Sequence, residues 1–146
     1  MNELLEFCLD TENPQKNYNV GVWYESHNHT GPAHTYYLRA AERAEDKVLA
    51  YKSLIRSAIC CKKQSSRDVT EKSLLKSAVS YLPERPEAYY MLATFHERKE
   101  EWEDCYTYAC LGLSCYNQDI NDIELSEYPG KYGLIFKKAI SSWWWG

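Results

Sequence analysis

The chain has 146 residues, enough for one domain that buries a core without metal ions or disulfides. A hydrophobic share of 45% excludes a disordered chain, and a net charge of -4 without a basic stripe argues against nucleic-acid binding. The sequence has no signal peptide and no apolar run of membrane length, so we expect a cytoplasmic protein with reduced thiols and no membrane association.

A short apolar helix is predicted at residues 3–10, ahead of a first helical hairpin at residues 14–47. A polar turn at residues 27–29 separates the two helices of this hairpin. Small side chains alternate with large ones at the predicted contact positions, which are Val20, Gly21, Tyr24, Ala33, Tyr37 and Ala40. Two helices approach closely where small residues face large ones, so the pattern predicts a tightly packed pair.

A second unit is predicted at residues 48–85, with a longer polar turn at residues 64–68. Cys60 and Cys61 are adjacent, and neighbours on a helix point about 100° apart. We therefore interpret them as small buried hydrophobic residues and not as a reactive pair. Lys62 and Lys63, near Arg56 and Arg67, are interpreted as a solvated helix end.

A third unit is predicted at residues 86–119, and its internal spacing matches that of the first unit residue by residue. Pro14 and Pro86 lie 72 residues apart, so one unit of slightly unusual length lies between the two. Its corresponding positions hold Tyr89, Leu92, Ala93, His96, Trp102, Cys105, Ala109 and Gly112. His96 takes a place that is usually aromatic, so we interpret it as a packed residue and not as a catalytic base. No spacing of Ser, His and Asp suggests a triad.

A partial fourth unit is predicted at residues 130–146, after an acidic loop at residues 117–129 that contains Asp119, Asp122, Glu124 and Glu127. Its helix, Tyr132 to Trp145, is expected to turn Phe136, Ala139 and Ile140 inward. The helix ends with Trp143, Trp144 and Trp145. Uncovered indoles favour association, so we expect self-association, such as a homodimer, through this end.

These positions resemble the tetratricopeptide repeat, in which aromatic residues, Leu and small residues alternate across paired helices. The resemblance covers about residues 14–146 and implies an all-α fold of antiparallel hairpins, an α-α superhelix of about three and a half repeats. It also implies a non-enzymatic scaffold that binds a protein or peptide. Residues 39–46, 82–90 and 127–133 also resemble the helical-repeat region that follows family 2 glycosyltransferase domains, which implies the alternative of an accessory module without catalytic residues.

In stacked hairpins, the first helix of each unit lines a concave groove. The groove positions are Tyr18, Val22, Glu25, Lys52, Arg56, Tyr90, Thr94 and Glu97. They form an aromatic surface with a basic centre and acidic flanks, suited to an extended peptide or a helix. The alternative is a groove that is solvated or filled by the terminal segment of the chain. Some tetratricopeptide domains bind the C-terminal carboxylate of a chaperone through Lys and Asn residues in the groove. This chain has neither Lys nor Asn at the matching positions. We predict no catalytic residue, metal ligand or cofactor.

Overall fold

The computed structural model describes residues 2–115, 123 and 125–146. Across these residues the chain forms helices and no strand, which confirms the predicted all-α class. The helices are α1 (Asn2–Leu9), α2 (Pro14–Ser26), α3 (Thr30–Arg43), α4 (Lys47–Lys63), α5 (Asp68–Tyr81), α6 (Glu87–Arg98), α7 (Trp102–Leu113) and α8 (Lys131–Trp145). None of these described helices has the length and apolar character needed to cross a membrane.

The chain forms two compact units, residues 1–81 and 82–146. In unit 1 each helix packs on the next one in sequence, and α2 also meets α4. Eleven of the 17 residues of α4 are buried, whereas α1 buries none, so α4 is the centre of this unit. In unit 2, α7 packs on both α6 and α8. The short connections from α2 to α3, α3 to α4 and α4 to α5 in unit 1, and from α6 to α7 in unit 2, make these helices antiparallel neighbours.

The division into four hairpin units, at residues 14–47, 48–85, 86–119 and 130–146, stays a prediction. The acidic residues Asp119, Asp122 and Glu124 of the expected loop lie outside the described residues.

The turns of the first and third predicted units have the same backbone geometry. Asn28 and Glu100 both adopt a positive φ, 62° and 58°. In each turn, the backbone amide of the next residue donates to the carbonyl five residues before it. The His29 amide donates to the Tyr24 carbonyl and the Glu101 amide to the His96 carbonyl, both at 2.9 Å. This is the 6→1 bond of a Schellman ending, which stops a helix and reverses the chain.

Glycine sets the distance between packed helices in each unit. In unit 1, a Cβ placed on Gly21 of α2 would lie 2.8 Å from two ring carbons of Tyr37 on α3. In unit 2, a Cβ on Gly112 of α7 would lie 2.7 Å from a methyl carbon of Leu134 on α8. Both distances are too short for a real side chain, so each interface requires glycine at that position.

The expected rotation of the last helix is wrong. Phe136 is 60% exposed, Ala139 is exposed and Ile140 is half-buried, while Leu134, Lys137 and Ser141 form the buried side of α8. The physical reason lies on α7, where Gly112 leaves a space that the Leu134 side chain fills. Phe136, two residues further along the helix, therefore faces away from α7.

Candidate functional site

In unit 1 the predicted groove residues lie on two helices that meet. Tyr18, Val22 and Glu25 belong to α2, and Lys52 and Arg56 belong to α4. The ammonium of Lys52 lies 4.7 Å from the centre of the Tyr18 ring, within the range of a cation–π interaction. Two of the predicted groove residues, Tyr18 of α2 and Lys52 of α4, therefore contact each other.

The Glu25 carboxylate is the polar centre of this surface, and its side chain is only 9% exposed. The Tyr37 hydroxyl donates to Oε1 at 2.7 Å, and Arg56 Nε donates to the same oxygen at 3.1 Å. Arg56 Nη2 donates to Oε2, so the guanidinium holds both carboxylate oxygens. Burial, and then the hydrogen bond to Glu25, raise the pKa of Tyr37, which keeps this hydroxyl protonated as a donor.

Lys63 is a site residue that the sequence interpretation missed. Its Nζ lies 3.7 Å from Glu25 Oε2, and its side chain is half exposed. An open cavity of about 310 Å³ lies beside it, lined by Val22, Glu25, Ser26, Arg56 and Lys63. The available signal was helical spacing, because Lys63 follows Arg56 by seven residues and Lys52 by eleven, on the same face of α4.

In unit 2 two of the predicted groove residues, Tyr90 and Glu97, contact α8. Lys137 Nζ pairs with Glu97 Oε2 at 2.5 Å and lies 5.5 Å from the centre of the Tyr90 ring. The Tyr90 ring also meets Tyr128 edge to face, with ring centres 5.7 Å apart. Thr94 donates its hydroxyl to the Tyr90 carbonyl at 3.0 Å. Tyr90 and Glu97 thus serve the packing of this unit.

The three C-terminal tryptophans are all exposed, Trp143 at 81%, Trp144 at 62% and Trp145 at 52%. Trp144 stacks on Trp102 of α7, with ring centres 5.9 Å apart, and Trp145 meets Tyr106 at 5.6 Å. These two contacts tie the end of α8 to α7 even though much of each indole faces water.

A buried cluster in unit 1 brings together residue types that form nucleophile–base pairs in enzymes. His34 Nδ1 lies 2.5 Å from Ser57 Oγ and 3.5 Å from Cys61 Sγ. Burial, followed by the charge of Arg67, lowers the pKa of His34, and burial raises the pKa of Cys61. Both side chains are therefore held in their neutral forms and away from solvent, in a packing role. The buried positions of Cys60 and Cys61 confirm the interpretation made from the sequence.

This cluster predicts a loss of stability in acid. Because the pKa of His34 is lower in the folded chain than the ordinary 6.5, the unfolded chain binds a proton first as the pH falls. The contribution of neutral His34 to the free energy of unfolding is complete above pH 6.5. It decreases below that pH by at most about 1.4 kcal/mol for each pH unit. Urea unfolding of the wild type and of His34→Gln between pH 7.5 and 5 measures this. A pH dependence unchanged in the variant would contradict the assignment.

One group of possible metal ligands occurs among the described residues, at the turn between α6 and α7. His96 Nδ1 lies 3.3 Å from Glu101 Oε1 and 3.9 Å from Asp104 Oδ2. A metal-bound histidine normally donates from its other nitrogen to a partner, but His96 Nε2 is buried without a hydrogen bond. The positive N-terminal end of α7 also disfavours a cation here. These three residues therefore fit a metal ion poorly. His96 is 1% exposed and stacks on Tyr108, which confirms the interpretation of this histidine as a packed residue.

No protein-family model matches the chain, and no curated protein does so either.

Proposed function

We propose that this chain is a protein-interaction domain of tetratricopeptide type, and that the α2–α4 surface of unit 1 binds an acidic peptide. The observation that carries the proposal is the basic row of α4, formed by Lys52, Arg56 and Lys63, beside the cavity next to Glu25. No residue of this row belongs to a buried catalytic arrangement, and the cavity is open to a ligand.

The equivalence of two hairpins supports the repeat. Asn28 and Glu100 occupy the same turn position with the same conformation, and Gly21 and Ala93 are the small residues seven positions before them. Both small residues are buried where the two helices of the hairpin meet. Repeated hairpins of this kind present first-helix side chains to a ligand, and those side chains include the basic row.

The charges favour an acidic ligand. Glu25 is almost fully buried and is held by Arg56, so its negative charge is compensated within unit 1. The Lys63 side chain is half exposed, and its Nζ lies 3.7 Å from Glu25 Oε2, at the edge of the Glu25–Arg56 ion pair. The accessible charge of the surface is therefore positive, whereas Tyr18 and Val22 add apolar contact. A peptide with Glu or Asp beside an apolar side chain complements both features.

The experiment is a binding titration with fluorescent peptides that alternate acidic and apolar residues, compared with peptides in which Gln replaces Glu. We expect Lys63→Gln to weaken binding of the acidic peptides about two- to fivefold, since an exposed ion pair contributes about 0.5–1 kcal/mol. The Lys52→Gln/Lys63→Gln double variant should be weaker again, and added salt should reduce the difference between variants.

Lys62→Gln is the matched control, because Lys62 is the exposed neighbour of Lys63 and lines no part of the cavity. It removes the same charge and should leave the affinity unchanged. Equal binding of the Glu and Gln peptides, or equal losses in the Lys62 and Lys63 variants, would show that this surface does not recognise acidic groups.

A further inference from the structure

The outward side of α8 in unit 2 is apolar over its whole length. It consists of Tyr132, Ile135, Phe136, Ala139 and Trp143, which recur at the spacing of one helix face. We call this set the outer face of α8. Tyr132 is 83% exposed and Trp143 81% exposed, and both lie in line with Phe136. Scattered apolar residues are ordinary on a protein surface, but a continuous stripe of this kind marks an interaction site.

The helix cannot bury this stripe by turning about its own axis. Leu134 fills the space above Gly112, and Lys137 on the same side pairs with Glu97 of α6. The Ser141 hydroxyl is buried as well and donates to the Lys137 carbonyl at 2.7 Å. Rolling the helix would open the Leu134 contact and break the Lys137–Glu97 pair. The stripe is therefore a fixed feature of unit 2.

The area of the outer face matches that of a dimer interface. Taking about 200 Å² for each large side chain, the four large residues expose on the order of 500 Å² together. A protein–protein interface of standard size buries about 800 Å² on each partner, and at the apolar share of about 65% that is typical of homodimers this is about 500 Å² of apolar area. The face also has no charge at its centre, so two copies meet without burying one. Lys131 and Lys138 lie at its edge, in contact with water.

We propose that the outer face of α8 is the contact surface between two copies of this chain. The outer face of α8 shares no residue with the α2–α4 surface of unit 1, so the proposal does not depend on peptide binding. Phe136 is its centre, with Tyr132 and Trp143 on either side along the helix. A central aromatic residue that is covered on both sides by the partner is the usual energetic centre of such an interface.

Sedimentation velocity of the full chain tests this proposal between about 1 and 100 µM, the range in which a weak interface of this size dissociates. We expect a monomer–dimer equilibrium in the wild type. Phe136→Ser should weaken it at least about thirtyfold, the effect of losing a central aromatic contact. Because Phe136 is exposed in the monomer, the variant should keep its helical content in far-UV circular dichroism.

Leu111→Ser is the matched control, since Leu111 is an exposed apolar residue of α7, 42% exposed, outside the outer face. It should dimerise like the wild type. A wild-type chain that stays monomeric up to about 100 µM would overturn the proposal, and so would a dimer that Phe136→Ser leaves intact. Assemblies that continue to grow with concentration would overturn it as well, because a self-complementary face closes at two copies.

Discussion

Replacing Arg85 with methionine should lower the free energy of unfolding of unit 2 by about 3–5 kcal/mol, the usual cost of removing one partner of a buried ion pair. Arg85 Nε and Nη2 donate to the two carboxylate oxygens of Glu87 at 3.1 and 2.9 Å, and both side chains are 5% exposed. The variant leaves the Glu87 carboxylate in a poorly solvated place without its arginine. Urea denaturation followed by circular dichroism measures the loss.

Two further variants separate the ion pair from other causes. Arg85→Met/Glu87→Leu removes both charges and should recover most of the stability, because apolar pairs often replace buried ion pairs without loss. Glu84→Gln changes an exposed neighbouring charge and should stay within about 0.5 kcal/mol of the wild type. If the double variant is no more stable than Arg85→Met, the buried carboxylate is not the source of the cost.

Gly21→Ala should destabilise unit 1 by about 1–3 kcal/mol, although alanine is the better helix former. The added methyl would lie 2.8 Å from two ring carbons of Tyr37. That ring cannot move aside easily, since Tyr37 is completely buried and its hydroxyl is bonded to Glu25. The measurement is again urea unfolding, at a pH where His34 is neutral.

Gly31→Ala is the matched control for this contact, because a Cβ at Gly31 would meet no atom within 4 Å. It should stabilise the chain by about 0.4–1 kcal/mol through the smaller entropy of the unfolded state. In a Tyr37→Leu background Gly21→Ala should cost less than in the wild type, because the smaller side chain leaves room for the methyl. If both glycine variants gain stability, the two helices are able to separate without cost.

The helices were predictable because residues 14–47 and 86–119 share a pattern of small and large residues at helical spacing, and this pattern predicts paired helices. Gly21, Ala33 and Ala40 are buried in the structure as this pattern requires. The rotation of α8 was not predictable, because Phe136 and Leu134 both belong to apolar stretches of that helix. Gly112 decides between them, because its missing side chain leaves space for Leu134, and it lies 22 residues earlier in the chain.

The candidate site was predictable to the extent that it follows helical spacing. Glu25 and Arg56 were placed on one surface and are found in contact. Lys137 could not be connected to Glu97, because that contact depends on the rotation of α8. The contacts of His34 with Ser57 and Cys61 span 23 and 27 residues, a separation at which spacing carries no information. The scaffold function, the absence of catalysis and the glycosyltransferase-associated alternative stay predictions.

The distribution of cysteines gives each unit its own reporter of local unfolding. Cys60 and Cys61 are buried in unit 1, Cys105 is buried in unit 2, and Cys8 is exposed. Burial, and then the charge of Glu25, raise the pKa of Cys60 to about 12, so this thiol is shielded from reagents and almost fully protonated. An alkylating reagent thus modifies Cys8 from the native state but reaches Cys60 and Cys105 only when their helices open. The rates at these positions time the opening of the two units separately, without an engineered label.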